Sequence, residues 1–136
     1  MNILQGTISC ITNQGNLTLV DVNVKGLLVT AIMIGKPVKV RYLKCGEPIE
    51  LLFNESEVSI GKENSGYLSV LNHLICTVEE IVAGKIFTLI HMLFQGQKLV
   101  ALIPSRSVKI MELKKGDEIT AYIKINEVFL KEIDFS

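Results

Sequence analysis

The chain lacks an excess of charge of either sign: fourteen Lys and Arg meet fourteen Asp and Glu in 136 residues. The balance also holds locally, six against six up to Gly66 and eight against eight beyond it. A protein that grips nucleic acid by its phosphates needs clustered cations to displace counterions, so this composition argues against such a partner. Lys109, Lys114 and Lys115 form a local concentration that a solvated helix face explains. Aromatic residues are scarce too, 6% with no Trp, and Phe53, Phe87, Phe94, Tyr122 and Phe129 are those that fall in expected strands, which offers little for base stacking.

Long hydrophobic runs are missing as well. The longest apolar pieces resemble "LLVTAIMI", well short of the roughly 18–20 residues that cross a bilayer, and no basic-then-apolar leader opens the chain. A soluble, unexported protein without membrane insertion is therefore expected. Cysteines number only three, Cys10, Cys45 and Cys76, with no Cys-x-x-Cys pair, which argues against a disulfide framework or a zinc knuckle and for a reducing, cytoplasmic setting. Glycine-rich phosphate loops, Walker motifs and nucleophile elbows do not occur. His73 and Cys76 are the one close pair of His or Cys ligands, so no bare metal-cation site is expected.

What the chain does contain is itself, twice. "LKCGEPIELLFNESEV" (43–58) returns seventy residues later as "LKKGDEITAYIKINEV" (113–128). Aligning residues 2–62 with 72–132 needs no gap and gives sixteen identities in 61 pairs, against about four expected from average composition. Asn2/Asn72, Leu4/Leu74, Thr7/Thr77, Gly26/Gly96, Ala31/Ala101, Gly46/Gly116 and Val58/Val128 are among them. The chain is a tandem duplication, with units over 1–62 and 69–136 and a turn-rich linker over 63–68.

Each unit shows the same order of elements. Strands are expected over 3–12 and 73–82, 17–24 and 87–94, and 27–34 and 98–104, with Gly26 and Gly96 tightening hairpins between the second and third. One short helix per unit follows, over 38–46 and around Val108 and Met111, stopped by Gly46 and Gly116. Two more short strands complete each copy. The fold class is therefore all-β with one short helix per unit: two tandem OB-like five-stranded β-barrel units. Units of about 65 residues bury marginal cores, and 49% hydrophobic composition with a mean hydropathy of +0.40 points to further burial in a homo-oligomer.

Candidate catalytic residues do not survive the duplication. His73 aligns with Ile3, His91 with Asp21, and Cys10, Cys45 and Cys76 with Glu80, Lys115 and Gly6. Glu57 and Glu127 are kept, each before a strand Val, and exposed strand positions beside a turn explain them, so no enzyme activity is expected. Small polar donors instead gather in "LSVLN" (68–72), "PSRS" (104–107) and "IKIN" (123–126). Hydroxyl, amide and main-chain N–H groups with one cation suit a tetrahedral oxyanion, although Ser and Asn are equally ordinary capping and turn residues.

At these segments the chain resembles the molybdate-binding Mop or TOBE family. "LSVLNHLICTV" resembles that unit's opening, approximately Ser-Ala-Arg-Asn, two apolar residues, any residue, then Gly-Thr-Val, and supplies Ser69, Asn72, Thr77 and Val78. "ALIPSRSVKIMELKKGDEITAYIKINEV" resembles the remainder, with its helix, Lys-x-Gly turn and closing Lys-Ala-Ser/Pro-x-Val segment. Two copies with no other domain are similar to the tandem di-Mop arrangement. The resemblance implies OB-type barrels, homotrimers, and molybdate or tungstate held between subunits of a cytoplasmic storage or homeostasis protein, with contact to a molybdate transporter as a further expectation. The alternative is a ligand-free regulatory or assembly module that pairs with such a transporter or with a regulator.

Carried over residue by residue, the resemblance implies oxyanion contacts from Ser69, Asn72, Ser105, Ser107, Lys124 and Asn126, with Asn2, Lys36, Asn54 and Ser56 as the first-unit equivalents. Leu71 stands where the family's opening motif has Arg, and Asn54, followed by Glu55 and Glu57, stands where the closing segment has Lys. A dianion would be repelled by those carboxylates if they faced it, so the second unit is expected to be the stronger binder.

Overall fold

A computed structural model of the chain describes residues 1–35, 43–63 and 68–133. The first repeat opens with β1 (Asn2–Gln14), β2 (Leu17–Val24) and β3 (Leu27–Ile34), and continues after residues 36–42 with β4 (Pro48–Phe53), a 3-10 turn over Glu55–Glu57 and β5 (Ser59–Gly61). The second runs through β6 (Asn72–Val82), β7 (Phe87–Phe94), β8 (Gln97–Pro104), helix α1 (Ser105–Met111), β9 (Glu118–Ile123), a 3-10 turn over Ile125–Glu127 and β10 (Phe129–Glu132). All strand pairings are antiparallel. The all-β expectation holds, and the helix expected around Val108 and Met111 is α1. Its first-repeat counterpart over 38–46 falls largely outside the described residues.

The hairpins form as their glycines predict. Lys25 and Gly26 have φ of 52° and 88°, Gln95 and Gly96 of 46° and 83°. Two successive positive φ values match the primed turns whose twist suits a two-residue hairpin. Along β2 every second residue from Thr18 to Val24 is buried, and β7 repeats this from Thr88 to Phe94. Both β1 and β6 carry a bulge, at Ser9 and at Glu79, where the register against β2 and β7 slips by one.

The strand order departs from the repeat order at one point. One sheet runs β10-β4-β1-β2-β3 and the other β5-β9-β6-β7-β8, so each takes four strands from one repeat and its last from the other. Phe129 to Glu132 pair with Leu52 to Ile49, and Ser59 to Gly61 with Tyr122 to Thr120. Neither OB-like sheet is complete without its neighbour. This exchange resolves the marginal size of a 65-residue unit, since the buried residues of both halves, from Leu4 and Phe53 to Phe94 and Val128, form one continuous core.

Lys62 ties the halves together as well. Lys62, just past β5, donates to the carbonyls of Met111 (3.2 Å) and Glu112 (3.1 Å) at the end of α1 and pairs with Asp117 at 3.2 Å. A cation on the last carbonyls satisfies groups that a helix end leaves open. Glu112 itself adopts the left-handed conformation that closes the helix. Gly116 is thus not the helix stop expected from the sequence: it lies four residues further on, in a turn at φ 93°, where its N–H donates to Val78.

Candidate functional site

Pairing of β6 with β9 sets the geometry of the site. Asn72 lies opposite Ile123, so the segment entering β6 and the segment leaving β9 run side by side. Between them is a cleft of about 370 Å³ lined by Ser69, Val70, Leu71, Lys124, Ile125 and Asn126. It holds one hydroxyl, one amide, one ammonium and no carboxylate. Lys124 is exposed and makes no ion pair among the described residues, leaving its charge available to a ligand. The 3-10 turn over Ile125–Glu127 follows Lys124 directly, its backbone extended at φ −66° and ψ 147° before the turn begins.

A second cleft of about 280 Å³ shares Lys124, Asn126 and Val70 and adds Ser56, Ser59 and Tyr122. Glu57 and Glu127 also line it, so its charge is mixed and its carboxylates oppose an anion. Ser56 and Ser107 come together in a third depression, about 230 Å³, where β5 passes β8 and α1. The exchange of strands is what delivers Ser56 and Ser59 of the first repeat to the second repeat's end. Tyr122, named above only among the strand aromatics, lies opposite Ser59 through that exchange, while its edge contact with the His73 ring, 5.0 Å between centroids, comes from the pairing of β6 with β9.

The other expected residues are placed elsewhere. Asn72 is buried and uses its amide on the main chain of Thr30, Oδ1 accepting from N–H at 2.7 Å and Nδ2 donating to the carbonyl at 2.8 Å. Asn2 does the same to Val100, both bonds at 2.8 Å. The Ser105 hydroxyl is engaged with the carbonyl of Gly84 (2.7 Å) and the hydroxyl of Thr88 (2.8 Å). Asn54 is exposed ahead of the first repeat's 3-10 turn, the position that Lys124 holds in the second. Beside it Glu55 pairs with the Met1 ammonium, which together with a main-chain hydrogen bond holds its carboxyl below the usual range. Lys36 lies outside the described residues.

Among the described residues no three His, Cys, Asp or Glu side chains gather as a metal site. No described helix is long and apolar enough to cross a membrane. Phe53, Phe94 and Tyr122 are buried, which removes three of the five strand aromatics from any stacking surface.

Residues 68–130 match the TOBE domain family. Among solved structures, the cytoplasmic molybdate-binding protein ModG, crystallised with molybdate bound, has the same fold. Its TM-score is 0.91 over 97% of this chain and 96% of that one, at 24% identity. A molybdate-binding protein from Sporomusa ovata is 41% identical over 43% of this chain and 88% of its own, with a TM-score of 0.43. Comparison with curated protein sequences gives no match.

Proposed function

The chain belongs to the TOBE family through residues 68–130, its second repeat, and we propose that it binds molybdate or tungstate as a non-catalytic store or buffer in the cytoplasm. The cleft between "SVL" (69–71) and "KIN" (124–126) carries this reading: a lone exposed ammonium, a hydroxyl and an amide converge there without a carboxylate. A tetrahedral dianion accepts several hydrogen bonds and gains from a charge-assisted one, which is what this donor set supplies. The two structural neighbours named above bind molybdate, and one of them shares the fold over nearly its full length.

The oxyanion is held between subunits of a homo-oligomer, a trimer by the family resemblance. The cleft is open at Leu71, which is 59% exposed, and Leu68, Ile75 and Phe129 are more than half exposed as well. Apolar surface of this kind is covered in an assembly, and a second subunit would close the cleft and add donors. The first repeat's equivalent position, with Asn54, Glu55 and Glu57, is the weaker or silent one.

Isothermal titration with molybdate, tungstate and sulfate, with the subunit number from light scattering on the same sample, tests the proposal. Tight uptake of molybdate or tungstate without sulfate is expected, and the ligand-to-subunit ratio counts the working sites. Absence of heat from every ion, together with a stable oligomer, would instead favour the assembly module that contacts a transporter or regulator. Leu71 is the observation that speaks for that second reading, because it puts an exposed apolar side chain in the opening motif.

A further inference from the structure

One row of side chains across the second sheet sets the two repeats apart. His73 on β6 lies opposite Tyr122 on β9, and Tyr122 lies opposite Ser59 on β5. The aligned row in the first sheet is Ile3, Leu52 and Phe129, apolar at every position. Opposed residues of a ladder project to the same face, so one sheet carries an imidazole, a phenol and a hydroxyl where its duplicate carries hydrocarbon. The polar row belongs to the repeat that has Lys124, and the apolar row to the repeat that has Asn54 in its place.

The polar row is connected to the cleft. Tyr122 is buried, and its ring lies against Gly61 of the exchanged strand β5, where an added Cβ would stand 2.7 Å from the Tyr122 Cε2. The ring so fixed meets that of His73 edge to face, with 73° between the planes. Such T-shaped pairs are attractive and set the angle of the imidazole. His73 Nε2 in turn is hydrogen-bonded to the Val70 carbonyl. A carbonyl can only accept, so Nε2 carries the proton and donates it. Val70 stands between Ser69 and Leu71 in the wall of the cleft that Lys124 also lines. His73 is not itself among the residues lining that cleft.

We propose that His73 is a positioning residue for oxyanion binding: its ring N–H, aimed by Tyr122, clasps the Val70 carbonyl and fixes the 69–71 wall of the cleft from outside. The inference rests on the oxyanion reading of that cleft. Two effects follow from the clasp. The wall is ordered before the ligand arrives, which lowers the entropy that binding must otherwise spend on it. The Val70 oxygen is also engaged by a donor, so its lone pairs are not free to turn toward an anion and repel it. The hydrocarbon of Ile3 can do neither in the first repeat.

The test compares the full chain with its His73→Gln, His73→Asn and His73→Ile variants. Gln carries its amide nitrogen as many bonds from Cβ as Nε2 is, Asn falls one bond short, and Ile, the residue of the first repeat, offers no donor. Titration with molybdate should show His73→Ile and His73→Asn weaker by about three- to tenfold in Kd, the worth of one net hydrogen bond, and His73→Gln within about twofold of wild type. Urea midpoint and subunit number should stay at their wild-type values, because His73 is exposed. Without ligand, amide hydrogen exchange over 69–71 should be faster in His73→Ile than in wild type or His73→Gln. Uptake by wild type with the same Kd in every variant would overturn the role of His73 and leave the oxyanion reading standing. Exchange that ignores the substitutions would overturn the clasp. No uptake by wild type would overturn the oxyanion reading and this role together.

Discussion

The side-chain amide of Asn72 is hydrogen-bonded to both main-chain polar groups of Thr30, on a strand of the other repeat, and Asn2 holds Val100 in the same way. Asn is kept at these two positions of the duplication because a primary amide presents a donor and an acceptor side by side, matching an N–H and C=O on the outer edge of β3 or β8, each the last strand of its sheet. The Asn of the family's opening motif therefore serves here as a reciprocal clasp between the halves.

Truncating that clasp leaves the Thr30 N–H and carbonyl buried without partners. Asn72→Ala is expected to cost about 2–4 kcal/mol, since each unsatisfied group costs about 1–3 kcal/mol. Urea unfolding measures it, and a loss below about 1 kcal/mol would mean that water replaces the amide. Asn2→Ala, at a site slightly more open, should cost less.

Acid should loosen the contact between Lys62 and the turn after α1. The Lys114 N–H, first, and the Lys62 ammonium hold the Asp117 carboxyl below its ordinary 3.8. A lowered folded pKa gives stability that is complete above the unfolded value and is lost as pH falls through the folded one. The difference in urea midpoint between wild type and Asp117→Asn should therefore be largest at pH 6 and shrink between pH 4 and pH 2. A difference constant with pH would show that the carboxylate is not the responsible group.

Much of the architecture was readable because the pattern is local. Alternating burial marks β2 and β7, and Gly26 and Gly96 mark their turns, so element order follows from the residues themselves. The destinations of β5 and β10 were not readable: "SIG" and "FLKE" have the same apolar pattern whichever sheet they join. For the same reason Ser56 and Ser59 could not be assigned to the second repeat's clefts. Lys124 and Asn126 could, because they follow β9 in sequence, whereas the clasp role of Asn72 depends on a strand 42 residues away.

Gly6 records how the two repeats diverged. A Cβ there would sit 2.5 Å from the Asn23 carbonyl oxygen and 2.6 Å from the Val22 side chain, while the aligned position in β6 accommodates the buried Cys76. Gly6→Ala is expected to destabilise the chain by about 1–3 kcal/mol through overpacking, read as a lower urea midpoint. Cys76→Ala enlarges nothing and should cost no more than about 1–2 kcal/mol from the lost sulfur.

Lys124 is where charge and stability separate. Its side chain is exposed and contributes to no ion pair among the described residues, so Lys124→Ala should leave the urea midpoint within about 0.5 kcal/mol of wild type. If the ammonium contacts a bound dianion, its removal costs about 1.5 kcal/mol of a charge-assisted hydrogen bond, roughly tenfold in Kd for molybdate. Lys124→Glu adds repulsion and should abolish uptake without unfolding the protein. Glu57→Gln and Glu127→Gln remove carboxylates from the neighbouring cleft and are expected to tighten binding modestly, since both line that cleft together with the same lysine. Equal titrations for Lys124→Ala and wild type would move the oxyanion away from this cleft and leave its polar lining as the ordinary solvent face of two turns.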